Sequence, residues 1–288
     1  MFFEKMLECP KKLQRGHFMD YQNCRLCPRQ CGADRQAGET GFCGCPATAL
    51  VAKAMLHKWE EPVLAGPGGS GAVFFGGCTL RCCYCQNAAI SGRPAGQTVD
   101  SAGLRRIFEE LIAQGAENID LVTPTQFLPT VLPALEPRLP VPVVYNCGGY
   151  ERVETLKELE GKVDIYLPDL KYADGTLAAA LSGAGDYFPV AAEAIREMVR
   201  QTGPVQWQGE KIVRGTVIRH LILPGQVENS LKVLDWIGET FAPGTVLVSL
   251  MRQYTPVGHP WAVCPPPTTG ELPTRNMMPF SAGCTSTI

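Results

Sequence analysis

The sequence predicts an α/β protein: a partial (β/α)6 TIM-like barrel with a small Cys-rich module ahead of it. Three observations predict it. From Ala72 onward, short apolar runs of strand length alternate with stretches of helical period. The 288 residues suffice for one barrel-sized domain and a short appendage. The cysteines are segregated, ten of the 13 lying before residue 86.

Residues 1–70 form the Cys-rich module, with little periodicity beyond an apolar run near Ala49–Met55. Cys24-x2-Cys27-x3-Cys31, followed after a Gly-rich turn by Cys43 and Cys45, has the spacing of a metal constellation. Cys24, Cys27, Cys31 and Cys43 fit an auxiliary 4Fe–4S cluster or a zinc knuckle. His17 and His57 stand alone and read as surface or core residues, and Cys9, Cys147, Cys264 and Cys284 as unliganded. The Gly- and Pro-rich piece Ala65–Gly71 reads as the loop into the barrel, residues 71–256.

Within that span the expected strands are Ala72–Phe75, Ile119–Thr123, Val141–Asn146, Val163–Leu167, Thr216–Leu223 and Thr245–Leu250. The expected helices are Ser101–Gln114, Glu151–Glu160, Val190–Gln201 and Glu228–Thr240. Asp100 is positioned to cap the first helix, where Leu104, Ile107, Phe108, Leu111 and Ile112 make an apolar stripe. Near-continuous apolar strands alternating with helices argue for a parallel sheet covered by helices. Six such units close only partly, and chemistry in such folds sits at the C-terminal ends of the strands. After Pro256 the pattern stops. Residues 257–288 are Pro-rich and without period, the reading for either a disordered tail or an altered reading frame from about Gly258.

A formal charge of -2 offers no basic footprint for nucleic acid. No run approaches the ~18 apolar residues that cross a membrane, and the acid-bearing start Met1-Phe-Phe-Glu does not read as a signal peptide. Clustered cysteines in such a cytoplasmic-looking chain read as metal ligands rather than as a disulfide framework.

The most informative stretch is Cys78-x3-Cys82-x2-Cys85, directly after the first barrel strand. A 4Fe–4S cluster is usually held by four thiolates, one per iron, so three leave one iron open for chemistry. The competing reading is a structural zinc site, but that needs a fourth ligand, and Cys83 is badly placed next to Cys82 and reads as buried packing.

This loop resembles the signature of the radical S-adenosylmethionine (SAM) enzymes, in which the open iron chelates SAM and an aromatic residue stands where Tyr84 is. Asn87, in Cys85-Gln-Asn87, matches the Cys-x-Asn of glycyl-radical-enzyme activases, where the asparagine contacts SAM. Thr123-Pro-Thr125 ends the second strand where many relatives carry a Gly-Gly-Glu-like element that binds the SAM amino group; the hydroxyl of Thr125 is the acceptor this chain offers there. Asn146 ends the third strand ahead of Gly148 and Gly149, which would let backbone approach a ligand. Asp169-Leu-Lys171 resembles the Asp-Leu-Lys of pyruvate formate-lyase-activating enzymes, implying contacts to the ribose and carboxylate of SAM. His220 matches a histidine near the nucleoside, with a purely structural role as its alternative.

From Cys24 to about Pro256 the order and spacing resemble uncharacterised homologues of these activating enzymes. The resemblance implies a barrel of the radical SAM type and a one-electron donor such as flavodoxin or ferredoxin. It implies cleavage of SAM to methionine and a 5′-deoxyadenosyl radical that abstracts hydrogen, with no catalytic side chain beyond the cluster ligands. The substrate is then a glycine of a glycyl-radical enzyme or, alternatively, another peptide, a nucleic acid or a small molecule. A non-enzymatic, metal-stabilised binding module is the remaining reading.

Overall fold

A computed structural model of the chain describes residues 19–256 and the two-residue strand Ser286–Thr287. Cys9, His17, Cys264, Cys284 and the question of the reading frame after Gly258 lie outside the described residues. In chain order the strands are β1 (Ala49–His57), β2 (Ser70–Phe75), β3 (Gln97–Val99), β4 (Ile119–Val122), β5 (Val143–Cys147), β6 (Ile165–Pro168), β7 (Gln206–Gln208), β8 (Lys211–Leu221), β9 (Leu247–Met251) and β10 (Ser286–Thr287). The helices are α1 (Ala88–Ser91), α2 (Ser101–Ala113), α3 (Leu128–Ala134), α4 (Val153–Lys157), α5 (Gly175–Ser182), α6 (Tyr187–Thr202) and α7 (Val227–Thr240).

Strands β2, β4, β5, β6, β8 and β9 pair in parallel in that order, the six units expected. The sheet is open: β1 and β3 add antiparallel beyond β2, and β10 adds antiparallel beyond β9. This is the partial α/β barrel that strand–helix alternation predicted. β1 extends the sheet N-terminally of residue 71, so part of the segment read as a separate module is built into the barrel wall.

Parallel pairing sends alternate residues of each strand to two different cores. Tyr145 on β5, Tyr166 on β6, Ile218 on β8 and Val248 on β9 face the helices, where Leu104, Phe108, Ile195 and Met198 meet them. Their neighbours Val144, Ile165, Leu167, Val217 and Leu247 face inward and pack on Val63 and Leu64, an apolar plug supplied by the segment after β1. Above that plug the inward positions turn polar: Asp120 on β4, Asn146 on β5, Asp169 just past β6 and Arg219 on β8.

The helices end where their sequences say they should. Asp100 accepts a hydrogen bond from the Gly103 amide at 2.7 Å and caps α2, whose Leu104, Phe108 and Leu111 are buried. Asp174 caps α5 through the Leu177 amide at 2.8 Å, and Gly183, at φ +61°, closes it in the left-handed conformation.

The Cys-rich segment is fastened to the barrel mouth by arginines that donate to carbonyls. Arg35 is buried, donates to the carbonyls of Cys45 at 3.0 Å and Gln126 at 2.6 Å, and lies over the Tyr21 ring. Arg29 reaches the Thr79 carbonyl, inside the cysteine loop, at 3.1 Å and the Gly183 carbonyl at 2.7 Å. Arg81 returns the contact to the Phe42 carbonyl at 2.8 Å. At Gly77 the chain has φ +76°, and a Cβ there would lie 2.2 Å from the Cys45 sulfur.

Gly149 has a different role from the ligand approach its sequence suggested. At φ +77° a Cβ on it would stand 2.0 Å from the Asp169 carbonyl oxygen, so the glycine lets two strand ends touch. Gly149→Ala is expected to cost about 2–4 kcal/mol of stability through backbone strain and overpacking. Urea unfolding of the variant measures it, and an unchanged midpoint would refute the close-approach role.

Candidate active site

β2 ends at Phe75, and residues 76–87 carry the chain through Gly76-Gly77 into the cysteine loop and on to α1. None of Cys78, Cys82 and Cys85 is in a disulfide. Cys83 is buried, as expected. Burial, with the Cys82 and Cys85 charges adding to it, pushes the Cys78 thiol up. Burial also raises the Cys82 thiol, against the pull of Lys171.

Donors already point at these sulfurs. The Leu80 amide lies 3.4 Å from the Cys78 sulfur, and the Ser182 hydroxyl donates to the Cys82 sulfur at 3.0 Å. Behind Ser182 runs a buried hydroxyl chain, Tyr172 at 2.6 Å and then Tyr84 at 2.6 Å. Hydrogen-bonded oxygens in series polarise one another toward the final acceptor, here Cys82.

Cys82 and Cys85 open onto a cavity of about 260 Å³ whose walls include Tyr84, Asn87, Asp169 and Lys171. Asn87 precedes α1 but makes no side-chain capping bond, so its amide stays available to the cavity. Asp169 is held at the end of β6 by its amide on the Cys147 carbonyl at 2.9 Å and by the Leu170 amide on the Arg219 carbonyl at 2.8 Å. Its carboxylate takes Lys171 Nζ at 2.5 Å and Arg219 Nε at 2.9 Å. Burial alone would raise the Asp169 carboxyl, but Arg219 and Lys171 outweigh it and hold it below the usual range. Burial would likewise lower Lys171, yet Asp169 keeps it charged and raised. An ionised carboxylate has about four lone-pair sites, so two remain for ligand hydroxyls.

Other expected residues lie elsewhere. Asn146 borders a neighbouring cavity, where its amide oxygen accepts from Arg219 Nη2 at 2.6 Å. The structure does not bring His220 to either cavity. It is fully buried on the outward face of β8, its ring nitrogens paired with the Leu170 carbonyl at 2.6 Å and the Ser230 hydroxyl at 2.9 Å. The residue beside it, Arg219, points inward instead. Alternation along β8 is the signal that would have found it: the same rule that turns His220 toward α7 turns Arg219 into the barrel.

Thr125 likewise lines neither cavity. Its hydroxyl is buried against the Glu151 carboxyl at 2.9 Å and the Tyr145 hydroxyl at 3.0 Å. Glu151 is buried and, among the described residues, has no cationic partner. Burial pushes its carboxyl up to about 8, against the hydrogen bonds from Thr125 and Tyr145.

At the mouth, Cys24, Cys27, Cys31 and Cys43 share one folded knuckle. The Gly32 amide bonds the Cys24 carbonyl at 3.0 Å and the Gln30 amide the Cys27 carbonyl at 3.0 Å. Among the described residues, no three Cys, His, Asp or Glu side chains converge to enclose one metal ion. A cluster imposes a different geometry, since each thiolate binds its own iron.

Residues 64–126 match the family model described as a 4Fe-4S single cluster domain, which spans β2, the cysteine loop and β4. An uncharacterized protein of Methanocaldococcus jannaschii, MJ0674, is 28% identical over 246 residues, covering 82% of this chain and 67% of its own length. The chain is also similar to solved structures. Streptococcus suis SuiB bound to precursor peptide SuiA gives a TM-score of 0.46 and 14% identity over 63% of this chain and 39% of that one. Methylornithine synthase (PylB) gives 0.43 and 16% over 64% and 54%. TYW1 with a lysine-pyruvate adduct bound gives 0.39 and 9% over 64% and 66%. The chain spans less than two thirds of the length of each of these three structures.

The three cysteines lie inside the segment that matches the 4Fe-4S single cluster domain, and their chemistry fits such a cluster. They are thiols outside any disulfide, on one loop, with hydrogen-bond donors already aimed at two of the sulfurs.

Glu151 makes a pH signature. Between its ordinary value of 4.5 and its native value of about 8, the unfolded chain loses this proton while the native state keeps it. Stability thus falls as pH rises through that window, by about 1.4 kcal/mol per unit for this group. Glu151→Gln removes the slope, so its stability relative to wild type is expected to climb by up to about 4 kcal/mol from pH 5 to pH 8. Denaturant unfolding at the two pH values tests this; parallel curves would show that Glu151 ionises normally.

Proposed function

We propose that this chain is a radical SAM enzyme. The observation that carries the reading is the cysteine loop: three thiols after the C-terminal end of a parallel strand, in the segment that matches a 4Fe–4S domain, two of them, Cys82 and Cys85, opening onto a cavity lined by Asn87, Asp169 and Lys171. When bound, a reduced 4Fe–4S cluster supplies the electron that splits SAM into methionine and a hydrogen-abstracting 5′-deoxyadenosyl radical.

Cys78, Cys82 and Cys85 hold three irons. Lys171 offers a compact positive charge for the SAM carboxylate, and Asp169 offers acceptor sites for ribose hydroxyls. Asn87 supplies an amide beside them. Arg219 keeps Asp169 ionised and fixed, acting through it as a positioning residue. Tyr84 closes the wall and heads the hydroxyl chain that ends on Cys82. A flavodoxin- or ferredoxin-like protein delivers the electron at this rim.

Activation of a glycyl-radical enzyme remains the finer reading. It is supported by Cys85-Gln-Asn87 and Asp169-Leu-Lys171, which handle SAM rather than substrate. The same proposal gives Cys24, Cys27, Cys31 and Cys43 to a second metal centre, a cluster or zinc, supported by their shared knuckle and its arginine fastening to the cysteine loop.

The test is anaerobic reconstitution and reduction of the full chain, with 5′-deoxyadenosine as the readout. Cys82→Ala is expected to drop production to background and remove the absorption of the SAM-binding cluster; full activity would overturn the assignment. Cys27→Ala is expected to retain SAM cleavage at least in part, whereas loss of folding would point to structural zinc.

Ser182→Ala deletes the hydroxyl that the Cys82 sulfur accepts. Because donors to cluster sulfurs stabilise the more negative reduced state, its reduction potential is expected to fall. A potentiometric titration followed by electron paramagnetic resonance reads the shift, and an unmoved potential would sever that link.

A further inference from the structure

A second cavity, of about 500 Å³, adjoins the first and shares Asn87, Arg219 and Met251 with it. Its walls carry Glu60 and Glu61 from the turn after β1, Asn146 from β5 and Ser249 from β9. Trp59 also lines it, although the ring is 91% exposed to solvent, unusual for a tryptophan that has no cover.

This inner layer holds more acids than bases. Glu60, Glu61, Asp120 and Asp169 face two cations, Arg219 and Lys171, and Lys171 is taken by Asp169. The Arg219 guanidinium is divided among Asp169 at 2.9 Å, the Asn146 amide at 2.6 Å and Glu60 at 3.6 Å. Among the described residues, the Glu61 carboxylate accepts one hydrogen bond, from the Ser249 hydroxyl at 3.0 Å.

Asp120 is the telling residue. It is fully buried, and its Oδ2 accepts from the Asn146 amide at 3.3 Å. Among the described residues its buried Oδ1 finds no N–H or hydroxyl donor; the partner it has is the Glu60 carboxyl, with which Asp120 is hydrogen-bonded and must share a proton. Alternation puts Asp120 on the same inward row as Val122, and Val122 lines the cavity in register with Asn146. Asp120 therefore lies one step beneath the cavity wall, behind Val122, Asn146 and Glu60. Burial, then the Glu60 carboxyl, push Asp120 well up, and burial raises Glu61, so protons make up part of the missing positive charge.

We propose that this cavity is the substrate site and that the substrate enters it with an ammonium or guanidinium end, which Glu60 and Glu61 receive at the wall in place of the proton that Glu60 shares with Asp120 beneath. A cation brings both the charge and the N–H donors that the acids lack, and Trp59 offers an aromatic face to the stem behind it. The substrate role, as distinct from cation binding, rests on reading the adjoining cavity as the SAM site.

Calorimetry on the reconstituted full chain tests this with n-pentylammonium and n-butylguanidinium as probes and 1-pentanol as the neutral control. The cations are expected to bind and the alcohol to bind at least about tenfold more weakly. Glu60→Gln and Asp120→Asn, both isosteric, should each weaken cation binding by at least about tenfold. Glu60 lies at the wall, so its variant carries the test if Asp120→Asn fails to fold. Equal binding of the alcohol, or unaltered cation binding in a folded Glu60→Gln, would overturn the proposal.

SAM carries an ammonium group too, so the titration is repeated with SAM saturating. Unchanged cation affinity supports a separate substrate site, whereas displacement by SAM would assign the acids to SAM and refute the proposal. Assay of 5′-deoxyadenosine on the same preparation separates the two readings. SAM cleavage without cation binding defeats this inference alone, and cation binding without SAM cleavage defeats the substrate role together with the radical SAM reading.

Discussion

Arg219 is the charge on which the polar half of this barrel depends. Its guanidinium sits inside the sheet, where an uncompensated carboxylate is costly to ionise. It touches Asp169, Asn146 and Glu60 at once, which suits a planar fork of donors better than a lysine's point charge. Remove it and Asp169 would lose half of what holds it ionised, the amide of Asn146 would lose its donor, and Glu60 and Asp120 would face each other with no counter-charge.

That constraint explains the layering along the barrel axis. At one end, Val63 and Leu64 fill the interior against Val144, Leu167 and Val217, and the packing is apolar. In the middle lie the acids and Arg219. At the rim stand Lys171 and the cysteines, with sulfurs that accept hydrogen bonds from Leu80 and Ser182. Each layer is one residue pair further along the same strands, so the inward row changes from plug to charge to ligand within a few residues. The outward row of those strands is mostly apolar or aromatic, because helices cover it; on β8 its polar members Thr216 and His220 are paired with Thr202 and Ser230 of those helices.

The Cys-rich segment belongs to the same construction. Arg29, Arg35 and Arg81 satisfy carbonyls on both sides of the junction, including one inside the cysteine loop. Buried carbonyls that receive such charge-assisted bonds are expensive to release. The loop's conformation is thus coupled to the segment that carries the other cysteines, and Gly77 lets the two approach to contact distance.

The sequence by itself determined the six parallel strands, four of the helices between them, the capping of α2 by Asp100 and the cysteine loop at the end of the first barrel strand, since each is a local pattern of period, cap or spacing. Asp169 and Lys171 were legible as a strand-end motif, and they do meet at the cavity. What only the tertiary structure decided was which neighbours face one another. His220 turns outward to Ser230 while Arg219 turns inward, and Thr125 spends its hydroxyl on Glu151. β1 and the residues after it, read as a module apart, supply a strand, the apolar plug and Glu60 to the barrel. The physical reason is the same in each case. A strand's two faces are equivalent in its own sequence, and only register with strands distant in the chain fixes which face looks into the barrel.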